Sequence, residues 1–227
     1  VIVLPQYSNL DSPLSPKIAW KRIDKTALDP EVLNEYKDWI HRPREDTTWD
    51  TETSRLIGVA QKAIETHCQF TVVPSTWQGT LSAMPDVLRI FRRPFRAVTA
   101  VSYVDPDGNI QSIADTNWQS APDRQMCGLL IKGDDYTWPQ TAKRIDAFRI
   151  TVTTGFYNDA DEAELPGEVK QALMMATAEL DMNRGDAGGS PGSNTTVYAM
   201  KQTRAAFLNP DIAALLSHLN YQDFTIV

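Results

Sequence analysis

The hydrophobic residues of this chain change their spacing twice, and that change limits the fold more than any other feature. Val32, Leu33, Tyr36, Trp39 and Ile40 recur at helical spacing, as do Leu56, Ala60, Ile64 and His67, with Ile57 and Ala63 widening the stripe. From Phe70 to about Phe156 the period falls to two. Val98 and Ala100 alternate with Thr99, Val101 and Tyr103, and Phe148, Ile150 and Val152 alternate with Arg149, Thr151 and Thr153. Past Leu165 the helical period returns at Val169, Ala172, Leu173, Ala176 and Leu180. This order predicts an α+β chain, in which helices flank an inserted small antiparallel β unit of five or six strands.

Local signals set the boundaries. Asp29-Pro30-Glu31 opens a helix over 30–41 that Pro43 stops, and Asp50-Thr51-Glu52 opens another over 51–68. The β insertion spans 70–156, with shorter strand candidates at Trp77 to Leu81, Val87 to Phe91 and Leu129 to Ile131. Asp105-Pro106-Asp107-Gly108 reads as a tight turn within it. Pro166, Glu168, Arg184 and Gly185 mark the ends of a helix over 166–184. The glycine-rich stretch from Gly185 to Ser193 predicts a flexible loop over 185–196. Asn209-Pro210-Asp211 caps a last helix over 210–219, with Ile212, Leu215, Leu216 and Leu219 on one side. Four prolines in the first thirty residues predict an extended N-terminal arm over 1–28, before a domain over 29–219 and a C-terminal tail over 220–227.

Composition narrows the function. The 227 residues hold 22 Lys and Arg against 29 Asp and Glu, a net charge of −7, which disfavours binding DNA by charge neutralisation. Cys68 and Cys127 stand far apart and outside any metal-ligand spacing, so neither a disulfide framework nor a zinc site is expected. The uncharged run from Thr71 to Met84 contains Pro74 and Gly79 and is no membrane span. No basic segment precedes an apolar one, so nothing marks export.

Catalytic chemistry leaves no constellation. His41 lies in a polar run, while His67 and His218 ride near helix ends, where a cation is favoured. Asp105, Asp107 and Asn109 imitate half of a calcium loop, but Ile110 stands where glycine is needed and Thr116 where the bidentate Glu belongs. Asp159, Asp161, Glu162 and Glu164 precede a helix N-terminus, where acids already have a dipole reason to sit. Asn194-Thr195-Thr196 is an acceptor pattern without a secretory context. Six tryptophans, Trp20, Trp39, Trp49, Trp77, Trp118 and Trp138, fall on separate elements and read as core and interface packing. No catalytic residue, metal ligand or cofactor is expected, and the chain reads as a binding or assembly protein.

Several of these segments, in this order, resemble the head–tail connector, or adaptor, proteins of long-tailed bacteriophages, prophages and gene transfer agents. The resemblance runs over most of Asp50 to Leu219. It is carried by Leu56 to Glu65 followed by Pro74 and Trp77, by Ile90-Phe91-Arg92-Arg93-Pro94-Phe95-Arg96-Ala97-Val98, and by Val101 to Gly108. Thr137-Trp138-Pro139, Ile150 to Phe156 and Leu165-Pro166-Gly167-Glu168-Val169-Lys170-Gln171-Ala172 complete it. The chain departs from the pattern in its arm before Asp29, in the segment from Gly185 to Asn209, and in its ending from Tyr221 to Val227.

The resemblance implies a non-enzymatic virion structural protein of the neck, made in the bacterial host cytoplasm and needing no cofactor. It implies a self-assembled ring of about twelve copies that joins the portal protein to a stopper or tail protein and lets DNA pass, with no membrane partner. The residues add a docking expectation at the C-terminus. Phe224 and Ile226 fall on one face of a strand and Thr225 and Val227 on the other, after Tyr221, so this apolar tail should seat on a partner's strand edge or on the chain's own β unit. Two other readings compete: a carbohydrate- or ligand-binding β module with helical flanks, and a metal-dependent hydrolase built on Asp159 to Glu164.

Overall fold

The computed structural model describes residues 18–25, 31–123, 126–156, 165–182 and 209–217. These fall into two units. Among the described residues, one is built from 18–25 and from within 74–155 and holds all the strands; the other holds the α-helices and takes the described residues between and after. The element order is β1 (Ala19–Lys25), α1 (Glu31–Trp39), α2 (Asp50–Cys68), β2 (Ser75–Leu81), β3 (Val87–Ile90), β4 (Phe95–Val104), β5 (Ile110–Ile113), β6 (Trp118–Pro122), β7 (Gly128–Lys132), β8 (Phe148–Thr154), α3 (Gly167–Met182) and α4 (Pro210–Leu215). The α+β class expected from the period changes is the class observed.

In the β unit a five-stranded sheet runs β1-β2-β8-β4-β5 and a three-stranded sheet runs β3-β7-β6, with neighbouring strands antiparallel throughout. Both sheets line one core. Phe148, Ile150 and Val152 on the central strand β8 meet Val98 and Val101 of β4, Leu88 and Ile90 of β3, and Leu130 of β7. Among the described residues the unit has eight strands where five or six were expected. No strand candidate from the sequence falls at β1, inside the segment read as an arm, at the four-residue β5 or at β6, none of which shows clean alternation.

β4 corrects a second expectation. Val98 and Ala100 do not share a buried face: Val98 and Val101 are buried and Ala100 is exposed. Val98 pairs with Val152 and Ala100 with Thr151, so Thr99 is an extra residue in the ladder. Such a bulge adds one residue to the strand and exchanges its two faces.

In the helical unit α2 and α3 carry most of the core. Ile57, Ala60, Ile64 and Cys68 of α2 pack with Val169, Ala172, Leu173 and Ala176 of α3, joined by Tyr36 of α1 and by Ile212 and Leu216 around α4. His67, expected on the buried stripe, is exposed and Cys68 takes its place. At 3.6 residues per turn, the step of four from Ile64 keeps the stripe in phase. Buried Glu65 fastens the chain leaving α2, because its Oε1 accepts from Gln61 Nε2 at 2.9 Å and from the Val72 amide at 3.1 Å. Asn209 caps α4 as the sequence predicts, its Oδ1 accepting from the Asp211 amide at 3.1 Å.

The turn between α1 and α2 closes on a buried charge. Lys37 is 2% exposed, donates to the Arg44 carbonyl at 3.0 Å, and pairs with Asp50 Oδ1 at 2.6 Å. Asp50→Ala should cost about 3 kcal/mol, because it strips the main counter-charge from a desolvated ammonium. Lys37→Met should cost clearly less, because it removes the charge that needed the partner. Urea unfolding of both variants checks the order, and equal losses would show that packing, not charge, holds this turn.

Candidate assembly surface

The groups weighed for catalysis are dispersed. His41 and His67 are exposed at the ends of α1 and α2, and Cys68 and Cys127 are buried in different units, with no disulfide between them. Burial, then the charge of Asp123, pushes the Cys127 thiol up, away from a reactive thiolate. Among the described residues no three His, Cys, Asp or Glu side chains gather as a metal site.

The half calcium loop is a hairpin turn. The Gly108 amide donates to the Asp105 carbonyl at 3.0 Å, and Gly108 takes φ +90°, which suits glycine. The Asp105 carboxylate accepts from the Asn109 amide at 2.8 Å and from Gln111 Nε2 at 3.1 Å. These bonds, Gln111 first, hold its carboxyl below the usual range, so it stays ionised while bracing the turn. The acids Asp159, Asp161, Glu162 and Glu164, the loop from Gly185 to Ser193, His218, and the tail residues Tyr221, Phe224, Thr225, Ile226 and Val227 all lie outside the described residues.

The tryptophans divide by role. Trp118 is buried, and Trp138 packs edge-on against Phe148 while its Nε1 donates to the Pro85 carbonyl at 3.1 Å. Trp39 and Trp49 of the helical unit stay 43% and 51% exposed. Trp20 and Trp77 form a stack with two arginines, which sequence reading missed. Arg22 lies opposite Trp77 in the β1–β2 register, its guanidinium 4.7 Å from the ring centre. Arg92, just after β3, sits 4.0 Å from the same ring and 5.6 Å from Trp20.

Gly79 makes the stack possible. It faces Trp20 across the ladder, and a Cβ there would stand 2.8 Å from that ring and from Ile18 Cγ2. Burial, and next the charge of Arg22, pull Arg92 below its ordinary pKa, yet a guanidinium keeps its proton in protein. Positive charge is thus concentrated in one place on an acidic chain, held by cation–π contacts of about 0.5–2 kcal/mol each. The pair Arg92-Arg93 beside Pro94 was the only signal for it in the sequence.

The described chain is thus α+β, with a β unit of two sheets and a helical unit. No family model and no curated protein sequence matches it. Solved structures do. A chain from the neck of an empty gene transfer agent particle, computed with C6 symmetry, superposes with a TM-score of 0.63 at 20% identity, over 89% of this chain and 95% of that one. A chain from the neck of the native particle, computed with C12 symmetry, gives 0.57 at 19% identity, over 87% and 93%. A chain from the virion of the native particle gives 0.58 at 20% identity, over 81% and 93%. At these identities the likeness is one of fold, and it spans nearly the whole of each chain.

Proposed function

We propose that this chain is a head–tail connector, or adaptor, of a phage-like particle. It is a virion structural protein that assembles as a ring under the portal vertex, joins the portal to the stopper or tail, and leaves a passage for DNA. The observation that carries this reading is the fold shared, almost end to end, with chains of gene transfer agent necks. A net charge of −7 on each copy supports it, because a channel wall that repels phosphate lets DNA slide without binding. Half-exposed tryptophans on the helical unit give lateral and axial contacts something to bury.

The test is the particle size of the purified chain, alone and with the portal protein of the same particle, by native mass spectrometry. A ring, or a ring that forms only on the portal, is the expected result. A strict monomer that ignores the portal overturns the reading, and glycan binding by that monomer would favour a carbohydrate-binding module instead.

A further inference from the structure

The two outer edges of the five-stranded sheet carry opposite charge. Among the described residues β1 pairs only with β2 and β5 only with β4, so these strands are the edges. β1 holds Lys21 and Arg22 against Asp24, and Arg92 joins Arg22 over the Trp77 ring of the neighbouring strand. At the other edge the β4–β5 hairpin and the turn after it hold Asp105, Asp107 and Asp115, with no Lys or Arg anywhere from Asp105 to Asn117. Each edge also exposes one isoleucine, Ile23 at 50% and Ile110 at 60%. A large apolar residue left in water on a charged strand edge calls for a reason, and both edges show one.

We propose that neighbouring copies of this chain meet head to tail across these edges, β1 of one copy against the β4–β5 hairpin of the next. This rests on the ring reading above and adds where its lateral contact lies. The charge pattern selects the geometry. A two-fold contact through either edge would bring like charges together, whereas a contact between unlike edges pairs them and repeats from copy to copy, which is how a ring is built. Both halves of the complementarity belong to one chain, so no second protein is needed to satisfy it.

The register also says what kind of contact this is. The β1–β2 pairing shifts between Arg22 and Asp24, which leaves Ile23 as the extra residue of an edge bulge. A bulge interrupts the row of main-chain groups that an added strand would need. The contact is therefore made by side chains: the two isoleucines form its dry centre and the charges its rim. On the hairpin side the turn is braced by Asp105, so Asp107 and Ile110 are presented from a fixed backbone.

Charge exchange between edges tests this without disturbing the fold, because Lys21, Ile23, Asp107 and Ile110 are all exposed. One variant carries Lys21→Glu with Ile23→Glu, making β1 acidic. The other carries Asp107→Lys with Ile110→Lys, making the hairpin basic. Each is measured by native mass spectrometry at low salt, alone, mixed in equal amounts, and on portal rings, with circular dichroism to confirm folding. Wild type should assemble, and each variant alone should assemble at least tenfold less readily. The mixture should recover rings in which the two alternate, since every contact then joins unlike charges. Rings from either variant alone, or no recovery in a mixture of folded variants, would overturn the edge contact while leaving the ring reading intact. Wild type that assembles neither alone nor on the portal overturns both. If the acidic-β1 variant still forms rings but loses retention of duplex DNA on a filter, the basic edge faces DNA, and the proposal falls.

Discussion

Gly128→Val is expected to destabilise the β unit by about 4 kcal/mol. Gly128 opens β7 and pairs with Ile90 and Pro122 on either side, so its backbone is fixed in the middle of the three-stranded sheet. The Phe95 ring, from β4 of the other sheet, lies directly on it. A Cβ at this position would overlap the ring, whose Cγ would stand 2.6 Å away. Phe95 is 5% exposed and its amide donates to the Met126 carbonyl at 2.7 Å, so the ring has little room to withdraw. Overpacking of this kind costs about 1–3 kcal/mol, and expelling a buried phenylalanine adds a similar amount, less the gain in strand propensity from valine. A double-mutant cycle checks the cause. With Phe95→Leu in place, Gly128→Ala should cost at least 1 kcal/mol less than it does alone. Additive losses in urea unfolding would show that the ring and the glycine are not coupled.

Deleting Asp223 to Val227 should leave the monomer folded and abolish its attachment to portal-bearing heads. Phe224 and Ile226 share one face of a β-prone segment, and such a segment left in water invites aggregation, so it should be docked. We propose a strand edge of the portal or of a neighbouring copy as the receptor, with main-chain hydrogen bonds for affinity and pockets for the two apolar side chains. Occupancy of the truncated chain on purified heads reads the outcome. Normal occupancy shows that the tail is not the anchor, and unfolding of the truncated monomer shows that the tail belongs to the chain's own β unit.

Much of the fold was legible because burial imposes a period. Phe148, Ile150 and Val152 announce β8 since one of its faces meets the core along its whole length, and Val169, Ala172, Leu173 and Ala176 announce α3 for the same reason. What stayed hidden has physical causes. The bulge at Thr99 shifts β4 by one residue and leaves no mark in composition. β1 escaped because Trp20 and Arg22 turn toward the sheet while the apolar Ile23 sits in a bulge, which erases the alternation. The arginine–tryptophan stack gathers Trp20, Arg22, Trp77 and Arg92 from three stretches of chain, and no spacing rule relates residues that meet only through a sheet. The candidate partner surface was the least legible, since complementarity between the two ends of a sheet requires knowing which strands end it.

The way the chain threads its two units has a consequence for its birth on the ribosome. Neither unit is continuous: β1 precedes the first two helices, and the strands it joins come after them. The apolar stripe of α2 must wait for α3, roughly a hundred residues later, which at 5–20 residues per second means about 5–20 s of exposure. β1 likewise emerges well before β2 can receive it. Nascent chains in which β8 has left the ribosome and α3 has not should therefore hold a finished β unit and an unsealed α2, open to chaperones and to neighbouring polysomes. Copies translated close together from one message meet in this state, and the proposed ring would draw on them. The order of synthesis, as well as the final surfaces, then bears on whether they associate correctly.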